Sequence, residues 1–116
     1  ALAQHDLFLH TSLEESFGMV LVEATAIGLP VVAGLRSGGV PWVLPDGTAL
    51  LADVRSPGAV AGALDRLLTS PALAQRLRDR AQHNARSRFS PEVVVNQYVN
   101  AYETLCQTPQ NAAYPV

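Results

Sequence analysis

Residues 17–33 read FGMVLVEATAIGLPVVA, and this stretch decides the fold. From Gly18 an apolar run containing alanines continues to Ile27 and stops at Gly28-Leu29-Pro30. Glycine suits the left-handed position just past a helix end, and proline cannot carry a helix on. The run is therefore predicted as a helix of about ten residues, a common length. Pro30 to Ala33 follow as a compact apolar segment with two β-branched valines. That length and composition suit a parallel strand covered on both faces. A helix joined to such a strand by so short a turn is one step of an α/β fold.

The surroundings extend the pattern. Upstream, Leu7 to His10 form a short apolar run read as a strand, and Thr11 to Phe17 are polar and turn-like. Downstream, Gly34 to Thr48 are rich in glycine and proline, with one helical turn expected over residues 39–44. Ala49 to Val54, ALLADV, give a third strand. Then Ser-Pro occurs three times, at 56–57, 70–71 and 90–91, each time ahead of a helical pattern. Serine can cap a helix, and proline suits its first position. The first of these helices places Ala59, Val60, Ala63, Leu64, Leu67 and Leu68 on one face. The second is amphipathic through Leu73, Leu77 and Ala81, and the third runs through Val94, Tyr98 and Tyr102 to about Cys106. Alternating strands and helices predict an α/β parallel sheet in three layers. With only three short strands, the sequence looks like the second half of a Rossmann-like domain. One domain is expected over residues 1–107, followed by a frayed tail at 108–116.

Composition narrows the function. The chain has 116 residues, 48% hydrophobic and 16% charged, with a net charge of −2. It is more apolar than an average domain, so part of its surface is expected to serve an interface. The charge gives no footprint for nucleic acid. The longest apolar stretch is broken by Glu23, Gly28 and Pro30 and is no membrane span. Cys106 is the only cysteine, which fits a reduced, cytoplasmic setting. His5, His10 and His83 lack metal-ligand spacing and are read as surface or capping residues.

The start of the first helix carries the chemistry. A helix opening near Gly18 leaves its first amides without intrahelical partners, at the positive end of the macrodipole. That is an anion site, most naturally for phosphate. Gly18 removes a side chain where the ligand approaches. Glu23 lies just over one turn in, where an acceptor-only carboxylate suits two neighbouring ribose hydroxyls. Glu15, on the preceding loop, can accept from hydroxyls at the other end of the ligand. Hydroxyls, diphosphate, hydroxyls is the layout of a nucleotide-sugar. Two acids at this spacing also arise by coincidence. The surrounding strand, loop, glycine and helix start favour the ligand reading.

The segment HTSLEESFGMVLVEATAIGLPVVAGLRSGGVPWVL, residues 10–44, resembles the donor-site block of the retaining family 4 glycosyltransferases. Their signature is Glu, seven residues, Glu, and Glu15, Phe17, Gly18, Glu23, Ala24, Gly28, Pro30, Val31 and Val32 all match it. SGGVP resembles the family's glycine loop, residues 44–68 its next loop, strand and helix, and RFSPEVVVNQYVNAYETL its terminal helix. The resemblance implies the second half of the C-terminal domain of a B-type glycosyltransferase fold. It implies that Glu15 meets the transferred sugar as the catalytic-site acid. The amides of Gly18, Met19 and Val20 would lie near the diphosphate, and Glu23 would bind the ribose. Phe17 would shape the loop. No cofactor and no metal are expected beyond the nucleotide-sugar itself.

The family usually has an acid after GG.P, and here Trp42 stands in its place. Trp42 is read first as a packing aromatic and second as a residue shaping the site. Gly38 and Gly39 are read as turn residues, Arg36 as a solvated loop charge, and the run from Arg76 to Arg88 as a solvated helix face. The acceptor domain and the first half of the donor domain lie outside the resemblance. The chain is therefore expected to be a glycosyltransferase portion that does not turn over alone. The alternative is a non-catalytic nucleotide-sugar-binding or assembly half-domain. Two surfaces are expected to be open. One is the edge of the first strand, which invites pairing into a homo-oligomer. The other is an apolar patch on the last helix, among Val93, Val94, Tyr98, Val99 and Tyr102. Peripheral membrane association of a full enzyme stays open.

Overall fold

A computed structural model describes residues 2–107. The sequence-predicted tail at 108–116 lies outside the described residues. The elements are β1 (Phe8–His10), α1 (Met19–Ala26), β2 (Val31–Gly34), α2 (Val40–Val43), β3 (Leu50–Ala52), α3 (Pro57–Thr69), α4 (Pro71–Phe89) and α5 (Pro91–Gln107). A 3-10 turn at Leu2–Gln4 precedes them, where the sequence pattern predicts no element. The strands form one parallel sheet in the order β1-β2-β3, with Leu9 opposite Val32 and Ala33 opposite Leu51. Every strand and helix expected from the sequence is present within a residue or two of its expected limits.

β2 is the centre of the sheet, and all four of its residues are buried. Side chains alternate across a strand, so its two faces feed two cores. Val31 and Ala33 join Leu21, Ala24, Val40 and Leu44 on the side of α1 and α2. Val32 joins Ala52, Ala63, Leu67 and Leu77 on the side of α3 and α4. This is the three-layer arrangement expected from the run of valines.

α1 ends as Gly-Leu-Pro predicts. Gly28 takes φ +89, its amide donates to Thr25 O at 3.0 Å, and the Leu29 amide donates to Ala24 O at 2.9 Å. These are the two bonds of a Schellman motif. Ser56 Oγ and Ser70 Oγ accept from the amides of Ala59 and Leu73, so α3 and α4 start on the predicted caps. Ser90 Oγ accepts from Val93 N at the start of α5. The apolar face of α3 is narrower than expected. Ala63 and Leu67 are buried, whereas Ala59 and Leu68 at its flanks are exposed, Leu68 by 66%. α4 closes the far end of the fold: Gln82 Nε2 donates to Ala26 O and Asn84 Nδ2 to Val43 O. These bonds satisfy carbonyls at the C-terminal ends of α1 and α2. At its last turn α4 comes back to the start of α1, where the Phe89 ring meets that of Phe17 edge-on at 5.4 Å. Among the described residues no helix is long and apolar enough to cross a membrane.

Candidate functional site

The site is built on the turn from β1 into α1. Gly18 is the residue before the helix, with φ 82 and ψ 62, and it offers no side-chain cap. A Cβ at Gly18 would sit 2.9 Å from Leu21 Cδ1 and 3.0 Å from Glu15 Cγ. Glycine is therefore required twice, by the left-handed backbone and by the space. The Leu21 amide bonds to Gly18 O at 2.9 Å. The amides of Met19 and Val20 meet no acceptor among the described residues, as the start of a helix dictates. Gly18 itself is buried, Val20 half-buried and Met19 60% exposed.

Glu23 is exposed on α1, with no side-chain partner among the described residues. Four residues separate it from Met19, so the two share a helix face about 6 Å apart along the axis. Glu15 is half-buried on the loop before the helix. It sits with Glu14, Ser16 and Gly38 around one open concavity, and Glu23 lies outside that concavity. The structure thus brings Glu15 beside Gly18 and Gly38, and it leaves Glu23 on an open helix face.

Gly38 and Gly39 do more than turn the chain. The Gly39 amide donates to Glu15 O at 2.7 Å. Gly38 has φ +61, and a Cβ there would lie 2.5 Å from Glu15 O. A Cβ at Gly39 would collide with Ser16 O. The loop after β2 is thereby clamped to the loop that carries Glu15.

His10 corrects the sequence reading. It is neither on the surface nor a cap: it is the last residue of β1, only 8% exposed. Its Nε2 lies 3.5 Å from Glu15 Oε2, and its Nδ1 has no hydrogen-bond partner. Pairing with Ala33 in the central strand carries it inside. The one signal in the sequence was its place at the end of an apolar run directly before the Glu15 loop.

Trp42 also departs from expectation. It is 61% exposed rather than buried. Its ring lies 6.0 Å from that of Phe17 and 5.8 Å from that of Phe89, and the Arg88 guanidinium stands 4.6 Å from its centroid. Arg88 Nη1 also donates to Trp42 O at 3.0 Å. Trp42 therefore belongs to a surface aromatic group that pins Phe17, two residues after Glu15. Arg88 leaves the solvated face assigned to the Arg76–Arg88 run, while Arg76, Arg80 and Arg86 stay exposed. Arg36 is exposed on the loop after β2. Among the described residues no group of three or more His, Cys, Asp or Glu side chains is placed to hold a metal ion.

A family model described as "Glycosyl transferases group 1" matches residues 1–88. The chain is 37% identical over 111 residues to N-acetyl-alpha-D-glucosaminyl L-malate synthase of Bacillus anthracis, covering 95% of this chain and 29% of that protein. It is 42% identical over 98 residues to D-inositol 3-phosphate glycosyltransferase of Corynebacterium glutamicum (strain R), covering 84% of this chain and 23% of that protein. Among solved structures it matches Anabaena Alr3699/HepE in complex with UDP, with a TM-score of 0.83 and 28% identity. That match covers 89% of this chain and 29% of the Anabaena chain. Sucrose-phosphate synthase from Thermosynechococcus elongatus matches with a TM-score of 0.82 and 30% identity, over 90% of this chain and 26% of that one. The chain thus spans less than a third of the length of each of these relatives.

Proposed function

The chain belongs to the group 1 glycosyl transferases, and from that premise we propose that it forms the donor-site portion of a retaining glycosyltransferase. The reaction moves a sugar from a nucleotide-diphosphate-sugar to an acceptor hydroxyl. The bond from the sugar to the diphosphate breaks, a bond to the acceptor oxygen forms, and the nucleoside diphosphate leaves, with the hydroxyl proton released to solvent. The observation that carries this reading is the helix start. Left-handed Gly18 opens α1 with free amides, Glu15 stands before it, and Glu23 stands one turn beyond. The amides of Gly18, Met19 and Val20 take the diphosphate and favour the charge it gains on leaving. Glu23 takes the ribose hydroxyls, and Glu15 takes hydroxyls of the transferred sugar. The acceptor domain and the rest of the donor pocket come from polypeptide beyond these residues, and the setting is cytoplasmic.

Calorimetric titration tests the reading, with UDP and UDP-glucose as probes because the Anabaena neighbour was solved with both. Glu23→Ala is expected to weaken both probes about fivefold, the worth of one hydrogen bond. Glu15→Ala is expected to weaken UDP-glucose alone. UDP binding untouched by Glu23→Ala removes the ribose role.

A second reading, an assembly half-domain, draws support from a specific feature. α5 buries none of its residues, and the outer edge of β1 is unpaired among the described strands. Association through those surfaces is compatible with the donor-site role, and sedimentation across a concentration series detects it.

A further inference from the structure

His10 is a buried polar side chain whose position the donor-site reading does not explain. The ring is 8% exposed at the C-terminal end of β1, beside the Phe8 ring at 6.4 Å. Nε2 faces Glu15 Oε2 at 3.5 Å, and Nδ1 faces nothing that can pair with it. A carboxylate only accepts, so a hydrogen bond across this gap requires the ring proton on Nε2. Nδ1 is then a bare acceptor without a donor. A doubly protonated ring fares no better, because it puts an unpaired N–H at the same atom. Either state leaves one buried polar atom unmatched, which folded proteins avoid unless something else is gained. Leucine at this position would fill the strand with no such atom.

What the ring supplies is at Nε2. Among the described residues no other side chain meets the Glu15 carboxylate. The backbone around Glu15 is fixed from the other side, by the Gly39 amide on Glu15 O and by the tight approach of Gly38. Backbone clamping does not choose a rotamer. A separation of 3.5 Å is longer than a strong N–H···O bond. Contacts in functional sites are often long in the free protein and tighten in the complex.

We propose that His10 is the positioning residue of the sugar subsite: its Nε2–H holds the Glu15 carboxylate in the orientation that meets the sugar hydroxyls. The proposal rests on the reading of Glu15 as the sugar contact. It makes His10 a determinant of sugar recognition that acts through Glu15 from inside the fold.

The test uses the full chain, ring-nitrogen NMR of the histidines, and titration with UDP and UDP-glucose. His10→Leu keeps the bulk and removes the donor, while His10→Gln returns an N–H near the place of Nε2. The expected spectrum has the His10 proton on Nε2, and Glu15→Gln shifts that signal. In His10→Leu the affinity for UDP-glucose relative to UDP falls about fivefold, the worth of one hydrogen bond. It falls to the value of Glu15→Gln, and the double variant falls no further. UDP affinity stays within about twofold of wild type, inside the scatter of a remote substitution. His10→Gln recovers most of the loss. A ratio unchanged in His10→Leu, losses that add in the double variant, or a ring protonated only on Nδ1 overturns the proposal. A chain that binds neither probe overturns the donor-site reading and the sugar role with it. The ring spectrum and its response to Glu15→Gln then still decide whether His10 holds Glu15. Should His10→Leu not fold, the sugar ratio in His10→Gln and the ring spectrum of the unaltered chain decide between the same outcomes.

Discussion

Gly18 is where backbone geometry and chemistry meet. Its left-handed backbone costs an L-residue about 1–2 kcal/mol. The 2.9 Å approach of a Cβ to Leu21 Cδ1 adds steric pressure, since Leu21 is fully buried. Gly18→Ala is therefore expected to lower stability by about 1–2 kcal/mol in urea unfolding and to weaken diphosphate binding as the helix start shifts. Glu23→Ala should behave in the opposite way. The residue is exposed and unpartnered, so stability should stay within about 0.5 kcal/mol while nucleotide affinity falls. A loss of both together in Glu23→Ala would mean the side chain is structural. His10→Leu is expected to leave the chain at least as stable as before, because it removes an unpaired buried atom worth about 1–3 kcal/mol. The turn and helix start that carry Glu15, Gly18 and Glu23 were legible in the sequence because local signals define them. His10 was barely so: its place at the end of an apolar run was the one local signal, and its burial depends on pairing with β2.

At the scale of elements the chain is strongly signposted. Three Ser-Pro pairs start three helices, and Gly28 stops α1. Ser56→Ala and Ser70→Ala should each cost about 1 kcal/mol in thermal or denaturant unfolding. Values near zero would show that the prolines alone start these helices. Less legible were the contacts between elements. Gln82 and Asn84 cap α1 and α2 from 56 and 41 residues away in sequence, and they read only as polar positions on an amphipathic helix. Trp42 was misjudged for the same reason. An aromatic residue in a short helical turn suggested burial, yet the tilted Phe89 ring and the arginine over its own ring arrive from the end of α4. Leu68 shows the limit of helical periodicity. Spacing names the apolar face, but the width of that face is set by how much sheet lies beneath it.

The whole molecule is extended for its length. Its radius of gyration is 18.0 Å, against about 13 Å for a compact chain of this size. α5 buries nothing, with Tyr98 63% and Tyr102 65% exposed and Val99 also open. The expected patch on this helix is thus present, except that Val93 and Val94 are half-buried near its start. Exposed apolar surface of this kind marks a place for a partner. Replacing Tyr98 and Tyr102 with serine should reduce binding of an apolar dye while leaving the melting temperature nearly unchanged. A large drop in melting temperature would show that the helix packs in solution against something it does not touch here. The apolar excess of the composition was the legible part of this feature, and its location followed from the last helical stripe. Which surface covers it is a matter of tertiary partners that no local pattern encodes.

The donor-site proposal stands or falls on whether the N-terminus of α1 receives a diphosphate between Glu15 and Glu23. Amide NMR during titration of the chain with UDP reads this out residue by residue. Saturable shifts are expected at Gly18, Met19 and Val20, extending to Glu23 and weakened by Glu23→Ala. Shifts centred on the proline-started, serine-capped N-termini of α3 or α4, or no shifts at α1 at saturating UDP, would contradict it.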